Sequence, residues 1–419
     1  MPAEEDNALD EPIAATVESL GSKGDGIAYI GGEKLHVPFA LPGDTVAFQK
    51  RGQRTEFVEL IKASPHRIPA ICRHFGACGG CVAQHIDRSY YLDWKRSLVL
   101  SQLARVQIET PAPAIQEYAL ATRRRAAFHA KKLGAEVRLG FKASGSHEII
   151  DIEECPILHP KISATLPIIR QALSRYQPPG IELEIQLTAA ANGLDCAMSG
   201  AGMSVKQRGS LAESLAGNFI RYSWNGESFF GHGSPFVNFA GVPVPLPPNS
   251  FLQAVEDCEN DMASFIVNAI RKTNKKGVVC DLFSGLGAFT FPCAIERSVT
   301  AYEGSSASVD ALNSGFRKAQ KLKPVQAIRR DLFRNPLSPI ELNKFAAIIL
   351  DPPREGAEAQ CKAIAASKAP IAVSISCNPA TFARDAATLA SGGFQLSDLT
   401  LFDQFKFSAH IEIGAVFKR

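Results

Sequence analysis

Five short apolar runs in the last part of the chain, at 278–283, 299–303, 325–330, 346–350 and 371–376, are separated by segments of helical pattern. Strands alternating with helices call for a doubly wound parallel sheet with helices on both faces. In such a sheet, ligands are handled beyond the carboxyl ends of the strands. The fifth run, Ile371-Ala-Val-Ser-Ile375, breaks off at Ser376-Cys377-Asn378-Pro379. Asn-Pro marks a turn, so Cys377 is predicted at the tip of a strand, in a loop. A lone cysteine is more often a small core residue. Its neighbours decide between the two readings.

After the first run, Asp281-Leu-Phe-Ser-Gly-Leu-Gly-Ala-Phe289 opens a helix, and Gly285 and Gly287 permit a tight turn and close backbone approach to a ligand. The third glycine of a dinucleotide fingerprint is missing, so no pyrophosphate cofactor is implied. Glu303 ends the second run, where a carboxylate can receive ribose hydroxyls, and Asp331 follows the third, within reach of an adenine. These features suit S-adenosylmethionine better than NAD. Asp351-Pro-Pro-Arg-Glu-Gly356 follows the fourth run as a rigid loop that fixes a carboxylate at the sheet edge. Ala409-His-Ile-Glu-Ile413 places Glu412 at the start of a last strand, where alone it reads as a solvated acid.

The 419 residues leave room for several domains. A proline-rich connector at 243–248 suggests a boundary, giving units at 12–62, 63–245 and 246–419. The acidic start (Glu4, Glu5, Asp6) is expected to be disordered and is no signal peptide. No apolar run reaches the roughly 18 residues of a membrane span. A cytoplasmic monomer is expected. Residues 12–62 carry short strands between glycine turns, the pattern of a small barrel. Lys50, Arg51 and Arg54 lie around one hairpin of it, either as a face for single-stranded nucleic acid or as a solvated turn. With a net charge of only +3, any nucleic-acid binding must come from such local patches.

The ten cysteines do not make a disulfide scaffold. Cys72, Cys78 and Cys81 form a tight nest, with Cys155 as the candidate fourth ligand. Four thiolates are consistent with structural zinc or with an iron–sulfur cluster, and the uneven spacing leans towards the cluster. Cys196, Cys258, Cys280, Cys293 and Cys361 are scattered in apolar or helical contexts. The densest positive run, Arg123, Arg124 and Arg125 with His129, Lys131 and Lys132, is predicted on a β-hairpin. It offers phosphate contacts for RNA, or else a solvated strand face.

Taken together, these motifs resemble the RNA uracil-5-methyltransferases, almost from end to end. The resemblance implies a multidomain α/β architecture. Residues 12–62 are similar to the TRAM barrel, of the oligonucleotide-binding type. A central α+β domain follows, with Cys72, Cys78, Cys81 and Cys155 as ligands to a [4Fe-4S] cluster. The C-terminal domain corresponds to a Rossmann-like class I methyltransferase. It further implies Cys377 as the nucleophile, Glu412 as general base and Asp351 beside cofactor and active site. Gln253, Phe283, Glu303 and Asp331 match positions that bind S-adenosylmethionine. Ala288 stands where many members have asparagine, and Phe405-Lys-Phe-Ser-Ala-His410 departs from the common Phe-Pro-His-Thr-Pro-His form. The expected reaction is 5-methyluridine formation, with 23S rRNA as the leading substrate and tRNA as the alternative. A different class of reading, a non-catalytic RNA-binding protein, would leave Cys377 dispensable.

Overall fold

The computed structural model describes residues 12–51, 54–273 and 277–419. The acidic start lies outside the described residues, as do the side chains of Lys50, Arg51 and Arg54. The chain divides into two compact units, residues 1–98 with 407–409, and residues 99–406 with 410–419. This cuts the chain differently from the three-way division suggested by composition. Residues 63–98 group with the small β unit, and Ala114–Glu117 is built into the C-terminal sheet.

In the first unit, Ile13–Thr16, Thr45–Arg51 and Arg54–Lys62 form one antiparallel sheet, and Ser19–Leu20, Gly26–Ile30 and Glu33–Val37 form another. Val17, Leu35, Val37, Ala40, Val46 and Phe48 make their common core. Among the described residues, the hydrogen-bond ladders give two three-stranded sheets rather than one closed barrel. Asp44 holds this unit together from within. It is fully buried, and its carboxylate accepts from Leu41 N at 2.6 Å, Ser64 N at 2.8 Å and Arg67 Nε at 3.1 Å. Burial pushes the Asp44 pKa up, but the Arg67 guanidinium and the two backbone N–H donors outweigh it and hold the carboxyl below its ordinary value.

In the second unit, an eight-stranded sheet runs in the order Val325–Arg329, Val299–Glu303, Val279–Leu282, Ala347–Leu350, Ile371–Ser376, Glu412–Lys418, Gln395–Asp403, Ala114–Glu117. The first five strands are parallel, as the alternation predicts. Glu412–Lys418 enters antiparallel between Ile371–Ser376 and Gln395–Asp403. Side chains alternate between the two faces. Val279, Ile349 and Val373 join Met262, Ile266 and Phe291 in one core, while Cys280, Ile348 and Ala372 join Ile364, Phe382 and Leu389 in the other. Burial on both faces explains why these strands read as continuous apolar runs. The scattered cysteines Cys196, Cys258, Cys280, Cys293 and Cys361 are all buried.

A seven-stranded, mainly antiparallel sheet completes this unit, with the hairpin Arg125–Leu133 and Glu136–Lys142 near one edge. No helix among the described residues is long and apolar enough to cross a membrane.

Breaking a buried ion pair from one side typically costs about 3–5 kcal/mol. Asp44→Ala should therefore lower the stability of the first unit by about that much in urea unfolding at neutral pH. Because the folded pKa is depressed, the Asp44 contribution is present above the ordinary carboxylate range and is lost as pH falls through the folded value. The variant's deficit should accordingly shrink on acidification. An unchanged urea midpoint at pH 7 would overturn this account.

Candidate active site

Strand register gathers the motifs at one sheet edge. Leu282 pairs with Leu350, Leu350 with Ser374, Ser376 with Ile413 and Phe402 with Glu412. The carboxyl ends of the parallel strands thus meet the amino end of the antiparallel one. The loops bearing Gly285, Asp351 and Cys377 and the first residue of the last strand share that edge.

Cys377 leaves its strand half-buried, and the next two residues start a helix, Pro379–Ser391. Asn378 is the N-cap, accepting from Ala380 N at 3.1 Å, and Pro379 occupies the first turn, where its missing N–H costs nothing. Asn378 Nδ2 also donates to the Arg354 carbonyl at 3.0 Å, as does Thr381 Oγ1 at 3.1 Å. These bonds tie the cysteine loop to the Asp-Pro-Pro-Arg loop.

The electrostatics follow from the crowding of acids. Burial pushes the Cys377 thiol up to about 11; the Glu412 and Asp351 charges add to this, and Arg354 opposes them. Glu412 is raised to about 7 by burial, against a hydrogen bond from Gln404 and the charge of Arg354. Asp351 is pushed well above its ordinary value by burial and by Glu412, Asp281 and Glu259. Titratable groups displaced this far, in one place, mark sites where protons are handled or cations are bound.

The glycine loop is strained in a way that glycine and one aromatic residue accommodate. Gly285 and Gly287 have φ of 52° and 97°, and Phe283 also stands at 62°. Glu303 holds the loop by accepting from Gly285 N at 3.0 Å and Ser305 N at 2.7 Å. Asp331 Oδ1 caps Phe333 N and Arg334 N, and the Phe283 and Phe333 rings stand 5.4 Å apart. Asp281 is fully buried and accepts from Thr290 Oγ1 at 2.5 Å, yet its Oδ1 and the nearby buried Ser284 Oγ have no partner among the described residues. Orphaned polar atoms beside a glycine turn fit a polar ligand seated there. Ser284 and Phe333 were not singled out from the sequence, since a serine and an exposed phenylalanine carry no pattern of their own.

Gln253 is buried and connects to the catalytic edge through Gln404, a residue that sequence reasoning missed. The only signal was a polar residue directly after the strand Gln395–Asp403. Arg354, quoted in its motif without a role, is placed by its neighbours: its Nη2 lies 2.9 Å from His410 Nδ1.

The basic run does not form one surface. Arg124 turns inward: it is 4% exposed, pairs with Glu259 at 2.9 Å and donates from Nε to the Gln253 carbonyl at 3.1 Å. It is a strut behind the site and is withdrawn from the RNA-facing set. Strand alternation puts Arg125, His129 and Lys131 on one face of their strand and Lys132 on the opposite parity, where its Nζ reaches the Ser174 carbonyl. Arg125 donates to Gln186 Oε1 at 2.7 Å, and Arg123 lies over the Phe405 ring at 5.6 Å.

In the first unit, Cys72 and Cys78 are half-buried and Cys81 is buried. Burial raises the Cys78 thiol, the Gly80 N–H opposes this from 3.4 Å, and the neighbouring Cys72 raises it further. Among the described residues, no group of three or more His, Cys, Asp or Glu converges as the donors of a single metal ion would.

The sheet order, the strained glycine loop and the acid-lined edge are those of a class I S-adenosylmethionine-dependent methyltransferase. Residues 245–419 match the family model described as tRNA (Uracil-5-)-methyltransferase. Over 403 residues the chain is 41% identical to a Brucella suis protein named an uncharacterized RNA methyltransferase, covering 96% of each. It is 28% identical to the 23S rRNA (uracil(1939)-C(5))-methyltransferase of Vibrio vulnificus, covering 96% of this chain and 95% of that one. The fold matches the crystal structure of Pyrococcus abyssi tRNA (uracil-54, C5)-methyltransferase in complex with S-adenosyl-L-homocysteine. There the TM-score is 0.73 at 18% identity, covering 97% of this chain and 100% of that one. The chain belongs to the RNA (uracil-5-)-methyltransferases, enzymes that methylate uracil C5 in RNA with S-adenosylmethionine.

The charge pattern around Cys377 makes a direct prediction. Alkylation by iodoacetamide, followed by peptide mass spectrometry across pH, should report a thiol titrating near 11 in the ligand-free protein. Asp351→Asn or Glu412→Gln should bring that titration down, and Arg354→Ala should move it up. Identical profiles in all four proteins would show that these charges do not reach the sulfur.

Proposed function

We propose that the chain forms 5-methyluridine in 23S rRNA through a covalent bond between Cys377 and uracil C6. The observation that carries this reading is the convergence of Cys377, Asp351 and Glu412 at one sheet edge, each with its proton affinity raised by burial, and Cys377 and Asp351 raised further by neighbouring acids. Uracil C5 is too weak a nucleophile to accept a methyl group unaided. Addition of the Cys377 thiolate at C6 turns C5 into an enolate-like carbon. S-adenosylmethionine supplies the electrophilic methyl group. Glu412 then removes the C5 proton, the C6–sulfur bond breaks and the thiolate is regenerated. Asp351 follows the strand beside that of Cys377, and its charge acts on the thiol while its own carboxyl responds to Glu412. Gln253, Phe283, Gly285, Gly287, Glu303 and Asp331 are assigned to the cofactor.

Ribosomal RNA is favoured by the likeness to the Vibrio vulnificus enzyme over nearly the whole of both chains. A transfer RNA substrate is the second reading, supported by the description of the matching family model. Arg123, Arg125 and Lys131 are assigned to RNA phosphates, with residues 12–62 as an additional RNA-binding module. The target base must leave any helix to reach Cys377. We also propose that Cys72, Cys78, Cys81 and Cys155 ligate a [4Fe-4S] cluster. The reading rests on their spacing and on the family resemblance.

Incubation with S-adenosylmethionine and unmodified 23S rRNA or bulk tRNA, followed by nucleoside mass spectrometry, tests the substrate. New 5-methyluridine in 23S rRNA alone is expected, with at least a thousandfold loss in Cys377→Ala (an order-of-magnitude figure for removing a covalent nucleophile). Product only in tRNA would replace the substrate, and full activity of Cys377→Ala would remove the mechanism. Because the base must be ionised, kcat should fall as pH drops below about 7. For the cluster, anaerobically purified protein should contain iron and acid-labile sulfide, both lost when Cys78 and Cys81 are replaced by serine. Stoichiometric zinc without sulfide would overturn the assignment.

A further inference from the structure

The Gln404 carboxamide sits in the centre of the site and is only 3% exposed. Its Oε1 accepts from Ala254 N at 2.9 Å and Val255 N at 3.3 Å. Two backbone donors can face only the oxygen, so the amide has one orientation and its nitrogen is turned the other way. Nε2 donates to Gln253 Oε1 at 2.7 Å and to Glu412 Oε1 at 3.1 Å. Both N–H groups are thereby used, and one side chain joins the Gln253 carboxamide, the backbone of the two residues that follow it and the carboxylate at the head of the last strand.

We propose that Gln404 is a positioning residue that holds Glu412 in register with the target base and turns Gln253 so that its amide nitrogen faces the cofactor. The inference rests on the assignment of Glu412 as base and Gln253 as cofactor contact. Gln253 cannot flip without facing its own N–H against the donor of Gln404, so the ligand meets a donor. Glu412 has one oxygen held by Gln404, which leaves the other to reach the C5 proton. The remaining groups that act on Glu412 or feel its charge are Arg354, Asp351, the Cys377 thiol and Cys258. Apart from Arg354, each is neutral or would raise its proton affinity. Gln404 is thus the neutral donor that draws the base back down towards working pH.

The test uses the full-length enzyme, S-adenosylmethionine, and unmodified 23S rRNA or tRNA transcribed with [5-³H]UTP. Tritium release reads loss of the C5 proton, and a denaturing gel reads the covalent RNA–protein complex. Gln404→Met keeps the length and removes every bond. Gln404→Glu keeps the acceptor for Ala254 and Val255 but loses the donor.

Both variants should release tritium about tenfold more slowly, the effect of losing one hydrogen bond to a charged group. Both should accumulate the Cys377–RNA complex, move the acid limb of kcat to higher pH and raise KM for S-adenosylmethionine. Wild-type behaviour of Gln404→Glu would overturn the inference, since the role would then be a backbone tether. So would a pH-independent loss without accumulation of the complex. A normal KM in both variants overturns the Gln253 half. Glu412→Gln is run in parallel: wild-type tritium release from it overturns Glu412 as base and the proton half with it, and separates that failure from one confined to Gln404.

Discussion

The site depends on the register of one antiparallel strand. Glu412–Lys418 slots between Ile371–Ser376 and Gln395–Asp403, pairing Ile413 with Ser376 and Glu412 with Phe402. A slip of one residue would turn every side chain of that strand to the other face of the sheet. Glu412 would then point away from Cys377. The strand is buried along nearly its whole length, so the register is held by packing on both sides. The geometry of this edge is inherited from the core.

Burial also sets the chemistry. The same exclusion of water that secures the sheet raises the proton affinities of Cys377, Asp351 and Glu412, because none of the three charges is cheap to form there. Arg354 and Gln404 are the counterweights, one a charge and one a neutral donor. A cation arriving among these acids would favour their ionised forms.

Arg124 shows how charge is spent on structure. It sits in the densest basic run of the chain, yet it pairs with buried Glu259 and braces the Gln253 carbonyl. A cation left at the surface and a cation destined for the interior look alike in a list of residues. Strand parity separates them only after the strand boundaries are known: Arg125 and Lys131 share a face, and Lys132 does not.

The strand–helix alternation, the loops after each strand and the cysteine at the tip of the fifth were legible from residues alone, because apolar periodicity and turn residues are local signals. So were the glycine turn at Gly285 and Gly287 and the placement of Glu303 and Asp351 at strand ends. The antiparallel insertion, the joining of Ala114–Glu117 to the C-terminal sheet, the inward turn of Arg124 and the grip of Gln404 on Gln253 and Glu412 were not. Each involves residues far apart in the chain, 151 positions for Gln404 and Gln253, even where, as for Gln404 and Glu412, another partner is near. Composition and spacing determined which groups could do this chemistry. Only the packed sheet decided which of them meet, since a hydrogen bond is a matter of a few tenths of an ångström and no local pattern carries that information.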